Sequence, residues 1–118
     1  MNSQTINQKI LNKAKTLMGE RFGLMIKYFI EDTENYMREI AEGCKSKSAE
    51  MALRPAHTIK SSAAQIGADK ASDIARQIED VCREIIANGN EDYVQLEKLY
   101  NQLKSEIAIV VPELIKFC

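Results

Sequence analysis

The sequence predicts an all-α protein: an antiparallel four-helix bundle with a short additional helix at its N-terminus. Three observations carry this. Apolar residues recur at steps of three and four along nearly the whole chain, the spacing that lines one face of an α-helix. Ala, Leu, Ile, Glu, Lys and Gln dominate, and these residues favour helix. Only five glycines and two prolines occur, so long helices joined by short turns are expected. The 118 residues suffice for one core, and 1–118 reads as one domain without repeat, low-complexity tract or linker.

Each element follows from the same pattern. The first helix covers about 5–17, with Ile6, Ile10, Leu11, Ala14 and Leu17 on one face, and Gly19 breaks it. A long second helix carries Phe22, Met25, Ile26, Phe29, Tyr36, Met37, Ile40 and Cys44 at helical steps. CKSKS at 44–48 is the next loop, where Ser48 suits an N-cap. The third helix runs to about Ile66 and stops at Gly67, because the residue after a helix often takes the left-handed conformation open to glycine. Asp69 is positioned to cap the fourth helix, whose stripe is Ala71, Ile74, Ala75, Ile78, Cys82 and Ile85. NGNED at 88–92 is a turn, and the fifth helix carries Tyr93, Leu96, Tyr100, Leu103, Ile107, Val110 and Leu114. The short first helix should lie across one end of the bundle as a lid. Pro55 and Pro112 fall inside helical patterns, and each removes an N–H and crowds the preceding turn. A kink is expected near Met51, and near Ala108 either a kink or an early end to the last helix.

Composition excludes several function classes. A hydrophobic content of 45% with 28% charged residues is the balance of a soluble globular protein. The net charge of −1 offers no basic footprint for nucleic acid. The longest apolar run, IAIVV at 107–111, is far too short to span a bilayer, so no membrane contact is expected. The N-terminal MNSQTINQ has no signal-peptide core, and the chain reads as cytoplasmic. Cys44, Cys82 and Cys118 are odd in number and scattered, which suggests neither a disulfide framework nor a metal site.

The chain has one histidine, His57, within AHTIKSSAAQIGA at 56–68. At about 100° per residue, Ala52, Ala56, Ile59, Ala63 and Ile66 fall on one side of this helix and form its core stripe. His57, Lys60, Ser61, Ala64 and Ala68 fall on the opposite side, with Glu50 and Leu53 above them, so the imidazole points to solvent. A lone surface histidine is commonly just a solvated side chain; its neighbours argue for more. Lys60, three residues on, can reach a group attached to the ring. Ser61 and Ala64 keep the ground beside it flat and low. Small exposed residues around a protruding imidazole suit a surface on which another protein docks, whereas a catalytic pocket would have walls and further polar groups. On the second helix, Leu24 and Tyr28 lie off the core stripe and are candidate partner contacts, while Met25, Phe29 and Met37 belong to the core. Glu31, Asp32, Glu34, Arg38 and Glu39 form a solvated face.

The residues 56–68 resemble the signature of histidine-containing phosphotransfer (HPt) domains of bacterial two-component phosphorelays. That pattern reads approximately A-H-x-L-K-G/S-S-x-x-x-G-A, and it stands here contiguously from Ala56-His57 through Lys60-Ser61-Ser62 to Gly67-Ala68. The RQIE stretch at 76–79 is similar to the family's L-E after the motif. Two departures stand out: Ser61 where many members have glycine, and Pro55 two residues before the histidine, which bears on the slope of the docking face.

The resemblance implies a phosphoryl shuttle. His57 would accept a phosphoryl group on Nε2 from the phospho-aspartate of one receiver domain and pass it to the aspartate of another. An imidazole is a nucleophile near neutral pH, and transfer passes through a loose, in-line state governed by positioning and charge. Lys60 would stabilise the phosphoryl oxygens, and Ser61 would leave room for the partner loop. Gln65, two turns on, could reach the phosphoryl or the partner backbone. Ala64 and Ala68, with Leu24 and Tyr28, would contact the partner. The expected partners are response-regulator receiver domains and a hybrid sensor histidine kinase. The chain itself would be a monomeric carrier without kinase activity and without a cofactor, magnesium being expected on the receiver.

Other readings remain at the level of sequence. A helical adaptor with an incidental histidine predicts no phosphorylation at His57. A histidine-kinase fragment lacks any nucleotide-binding segment, and metal binding through His57 and the cysteines is poor on spacing. Whether the chain is a stand-alone protein or a module of a hybrid kinase is open at this level.

Overall fold

Capping residues and glycines set most helix boundaries in the computed structural model, which describes residues 5–118. The Asn7 side-chain oxygen accepts the Ile10 N–H, so α1 begins at Gln8 rather than near residue 5, and runs Gln8–Met18. Gly19 ends it at φ 57, and a 3-10 turn over Gly19–Arg21 feeds α2, Phe22–Lys45. Ser48 caps α3, Ala49–Gln65, by accepting the Met51 N–H. Residue Ala68 precedes α4, Asp69–Asn88, and has no side chain to cap it. Asp69 is therefore the first residue inside the helix and not its cap; its carboxylate accepts a hydrogen bond from the Asn7 side chain instead. Gly89 closes α4 in the left-handed region, and the Asp92 carboxylate caps α5, Tyr93–Ile115.

The four long helices close a ring in chain order: α2 packs on α3, α3 on α4, α4 on α5 and α5 back on α2. With turns this short, consecutive helices must run antiparallel. The α3/α4 seam is the most extensive. Small buried residues explain why: Ala56 and Ala63 on α3 and Ala71 and Ala75 on α4 are fully buried, and small side chains let two helices approach closely. Larger residues fill the centre, with Ile26 and Ile40 from α2, Ile59 from α3, Ile78 from α4, and Leu96, Leu103 and Val110 from α5. No strand occurs among the described residues.

Helix α1 is the expected lid. Ile6 and Leu11 are buried, and the Asn7 N–H donates to the Gly67 carbonyl at 2.7 Å. Gly67 sits at φ 84, and a Cβ there would lie 2.6 Å from the Asn7 carbonyl oxygen, so only glycine permits this contact. Leu17 is not on the buried face as expected but 82% exposed, because α1 ends one residue later and Met18 packs against the core in its place. The same end is closed by Phe117, edge-on to Phe22 with ring centres 5.5 Å apart. At the opposite end, the Tyr93 hydroxyl accepts the Ala49 N–H and ties the start of α5 to the start of α3.

Both prolines lie within continuous helix, and Pro112 does not end α5 early. The carbonyls of Met51 and Ala108 lose their usual partners, but both residues are exposed and water can satisfy them. The three cysteines are free thiols, and burial pushes that of Cys82 up to about 12, which keeps it protonated as a core atom. Among the described residues no helix is long and apolar enough to cross a membrane.

Candidate functional site

The α4 stripe contains one residue that does not belong in a core. Glu79 follows Ile78 on the face turned toward α3 and is only 3% exposed. A buried carboxylate is costly unless charged or hydrogen-bonding partners surround it. The partners of Glu79 come from two helices. Lys60 Nζ, from α3, lies 2.7 Å from Oε1. Arg83 Nη2, one turn further along α4, lies 2.6 Å from Oε2. The imidazole of His57 completes the group, with Nδ1 2.8 Å from the same Oε2. Among the described residues no other polar group pairs with Oε1, which Lys60 meets as an ion pair.

Backbone contacts hold this cluster in register. The close α3/α4 seam brings Glu79 under the exposed edge of α3. The Ser72 hydroxyl, in the first turn of α4, donates to the Lys60 carbonyl at 2.7 Å and fixes α3 against α4 beside the site. Ala56 and Ile59, on either side of His57, are fully buried and hold the helix face. The imidazole itself stands out, with its side chain 55% exposed.

The charge state of Glu79 decides the tautomer of His57. Burial pushes the carboxyl up, but the Lys60 ammonium, together with hydrogen bonds from Arg83 and His57, outweighs this and holds it at about 2. At neutral pH Glu79 is therefore ionised and can only accept. The ring nitrogen facing it, Nδ1, must carry the proton. In the neutral imidazole the lone pair is then on Nε2, the nitrogen away from Glu79. The arrangement is an exposed nitrogen nucleophile with a buried anion behind its ring and two cations beside it. Among the described residues no group of three or more His, Cys, Asp or Glu side chains could hold a metal ion.

Comparison with known proteins gives this geometry a family. Residues 24–108 match the model of the Hpt domain. The chain belongs to the Hpt-domain family. A solved structure with the same fold is histidine-containing phosphotransfer protein B (HptB) from Pseudomonas aeruginosa PAO1, at TM-score 0.87 and 17% sequence identity, covering 98% of this chain and 95% of that one. No curated protein matches the chain. Membership makes the chain a phosphotransfer intermediate in the general sense of the family.

On the Hpt fold, the residues named from sequence separate into four places. His57, Ser61 and Ala64 are exposed on the crest of α3. Lys60 is not extended into solvent; it is half-buried and turned onto Glu79. Leu24, Tyr28 and Gln65 line a groove of about 410 Å³ between α2 and α3, with Ser62, Thr58 and Met25. Gln65 thus faces the α2 side of α3, while His57 and Lys60 face α4. Ala68 does not join the exposed face: it is fully buried, because α3 ends at Gln65 and the turn through Gly67 carries the chain inward before α4.

Two residues of the cluster escaped the reading of the sequence. Glu79 appeared only as the last letter of RQIE, and Arg83 not at all. Their spacing to each other, one helical turn, is visible in the sequence, but their approach to His57 spans two helices and a turn.

Proposed function

We propose that this Hpt chain is a phosphorelay carrier that takes a phosphoryl group onto Nε2 of His57 from the phospho-aspartate of a receiver domain and passes it to the aspartate of another. The observation that carries this is the Nδ1 contact to ionised Glu79, which puts the single proton of the neutral ring on Nδ1 and so turns the Nε2 lone pair away from the carboxylate. In the forward step Nε2 attacks phosphorus, the P–Nε2 bond forms, and the P–O bond to the aspartyl carboxylate breaks. Nδ1 keeps its proton, so the ring gains positive charge, and Glu79 stabilises that charge from behind. Lys60, with donors to spare beyond Glu79, stabilises the phosphoryl oxygens. Catalysis of this kind needs little beyond position and electrostatics.

The flat crest at Ser61 and Ala64 and the groove lined by Leu24 and Tyr28 form the docking face for receiver domains and a hybrid sensor histidine kinase. Leu24 and Tyr28 are 49% and 53% exposed, more than their size warrants on an unpartnered surface. Magnesium belongs to the receiver, and the carrier acts as a monomer in the cytoplasm without kinase activity of its own.

The test is transfer from receiver domains loaded with radioactive phosphate. The expected result is label that moves to the chain, is lost in acid, survives base and disappears in His57→Gln, whose helical CD spectrum stays native. No label from a broad panel of folded receivers would make the chain a helical adaptor.

A further inference from the structure

Glu79 gathers more positive charge than one carboxylate neutralises, and it holds its two cations differently. Among the described residues Lys60 is the sole polar partner of Oε1. Withdrawing it would leave a buried carboxylate oxygen bare, which burial penalises heavily. Oε2 is doubly served, by Arg83 Nη2 and His57 Nδ1. When Arg83 leaves, Oε2 keeps its bond from the imidazole. Arg83 is also free to move: its side chain is 59% exposed, and Glu79 is its only hydrogen-bond partner among the described residues. It lines a shallow cleft with His57, Arg54, Leu53 and Glu50.

We propose that Arg83 is a second phosphoryl ligand. When His57 carries a phosphoryl group, the guanidinium exchanges its bond to Glu79 Oε2 for phosphoryl oxygens, while Lys60 stays on Oε1. The assignment rests on the phosphoacceptor reading of His57. Arg83 Nη2 and His57 Nδ1 both lie within 3 Å of one oxygen, and Nε2 belongs to the same small ring. The phosphoryl oxygens are thus within the swing of a long side chain. A guanidinium offers paired donors that match such oxygens, which an ammonium does not. The unphosphorylated state keeps the cation parked on Glu79, so no new charge has to be brought to the site during transfer. Glu50 and Arg54 from α3 are the other charged groups facing this cleft, and Lys60 and Glu79 flank the ring.

The experiment loads the full chain from phosphoramidate, which needs no docked protein: its P–N bond breaks, ammonia leaves and the P–Nε2 bond forms. The phosphorus NMR resonance is then followed against pH. The expected result is an apparent phosphoryl pKa that rises by about 0.5 unit or more in Arg83→Gln, as for any anion that loses a neighbouring cation. It returns most of the way in Arg83→Lys and does not move in Arg54→Gln. An unchanged titration in Arg83→Gln overturns the assignment, and so does an equal shift in Arg54→Gln, which would signal a diffuse field. A natively helical chain that takes no phosphoryl group on His57 overturns the phosphoacceptor reading and this assignment with it.

Discussion

Nδ1 of His57 and Oε2 of Glu79 lie 2.8 Å apart, joining an exposed imidazole on α3 to a carboxylate buried at the edge of α4. The contact puts the proton of the neutral ring on Nδ1, and it places a buried anion behind the imidazole.

Glu79→Gln should therefore damage transfer without removing the histidine. A glutamine can turn its amide N–H toward Nδ1, which favours the tautomer with the proton on Nε2. Loss of the correct tautomer behind a catalytic imidazole costs a factor of about 10² to 10⁴ in rate. Uptake of phosphoryl from phosphoramidate should fall accordingly, and nitrogen NMR should show the ring proton moving to Nε2. A normal rate with the tautomer unchanged would remove Glu79 from the mechanism.

Acid should weaken the fold through the same carboxylate. Glu79 sits at about 2 in the folded chain, against 4.5 for an unperturbed glutamate. A lowered folded value contributes stability that is fully present above about 4.5 and is lost as pH falls toward 2. The contribution is about 1–3 kcal/mol after allowance for the partly exposed partners. Urea unfolding at neutral and at acid pH should show a wild-type advantage over Glu79→Gln that shrinks across this window. A constant difference would mean the network adds no pH-linked stability.

Lys60→Ala should reduce both stability and transfer, and the two losses can be separated. Removing the ammonium strands Oε1 in the protein and costs about 1–3 kcal/mol. In the double variant Lys60→Ala, Glu79→Gln the stranded charge is gone, so thermal stability should recover part of the loss. Transfer should stay below that of Glu79→Gln alone, because the phosphoryl charge has still lost its lysine. Transfer equal to that of Glu79→Gln alone would make Lys60 a purely structural partner of Glu79.

Ser61→Gln tests the docking crest. Ser61 is exposed one turn beyond His57, so a longer side chain changes surface shape and not packing. Transfer from a receiver should fall by at least about tenfold, while phosphorylation by phosphoramidate and the melting temperature stay near wild type. An equal drop with both donors would show that Ser61 acts on the ring rather than on the partner.

The fold is largely legible in the sequence. Helical periodicity marked five segments, and Ser48, Gly19, Gly67 and the NGNED turn marked most of their ends. Periodicity failed where a face changes within a turn. Ala68 keeps the helical phase of α3 yet lies beyond its end, where the phase no longer predicts burial, and Leu17 lies in the last turn of α1, where Met18 packs against the core instead. The exposed side of α3 at His57, Ser61 and Ala64 was legible because it depends on one helix alone.

What the sequence determined by itself was therefore local: helix spans, the outward histidine, and a thirteen-residue stretch at 56–68 resembling a phosphotransfer signature. What only the tertiary structure decided was the company His57 keeps. Glu79 is twenty-two residues away in sequence, and its carboxylate reaches the imidazole only because alanines on α3 and α4 draw the two helices together. A helix pattern records which face is buried, but not which side chain lies opposite on the next helix. The tautomer of His57, the tethering of Lys60 and the position of Arg83 all depend on that second kind of information.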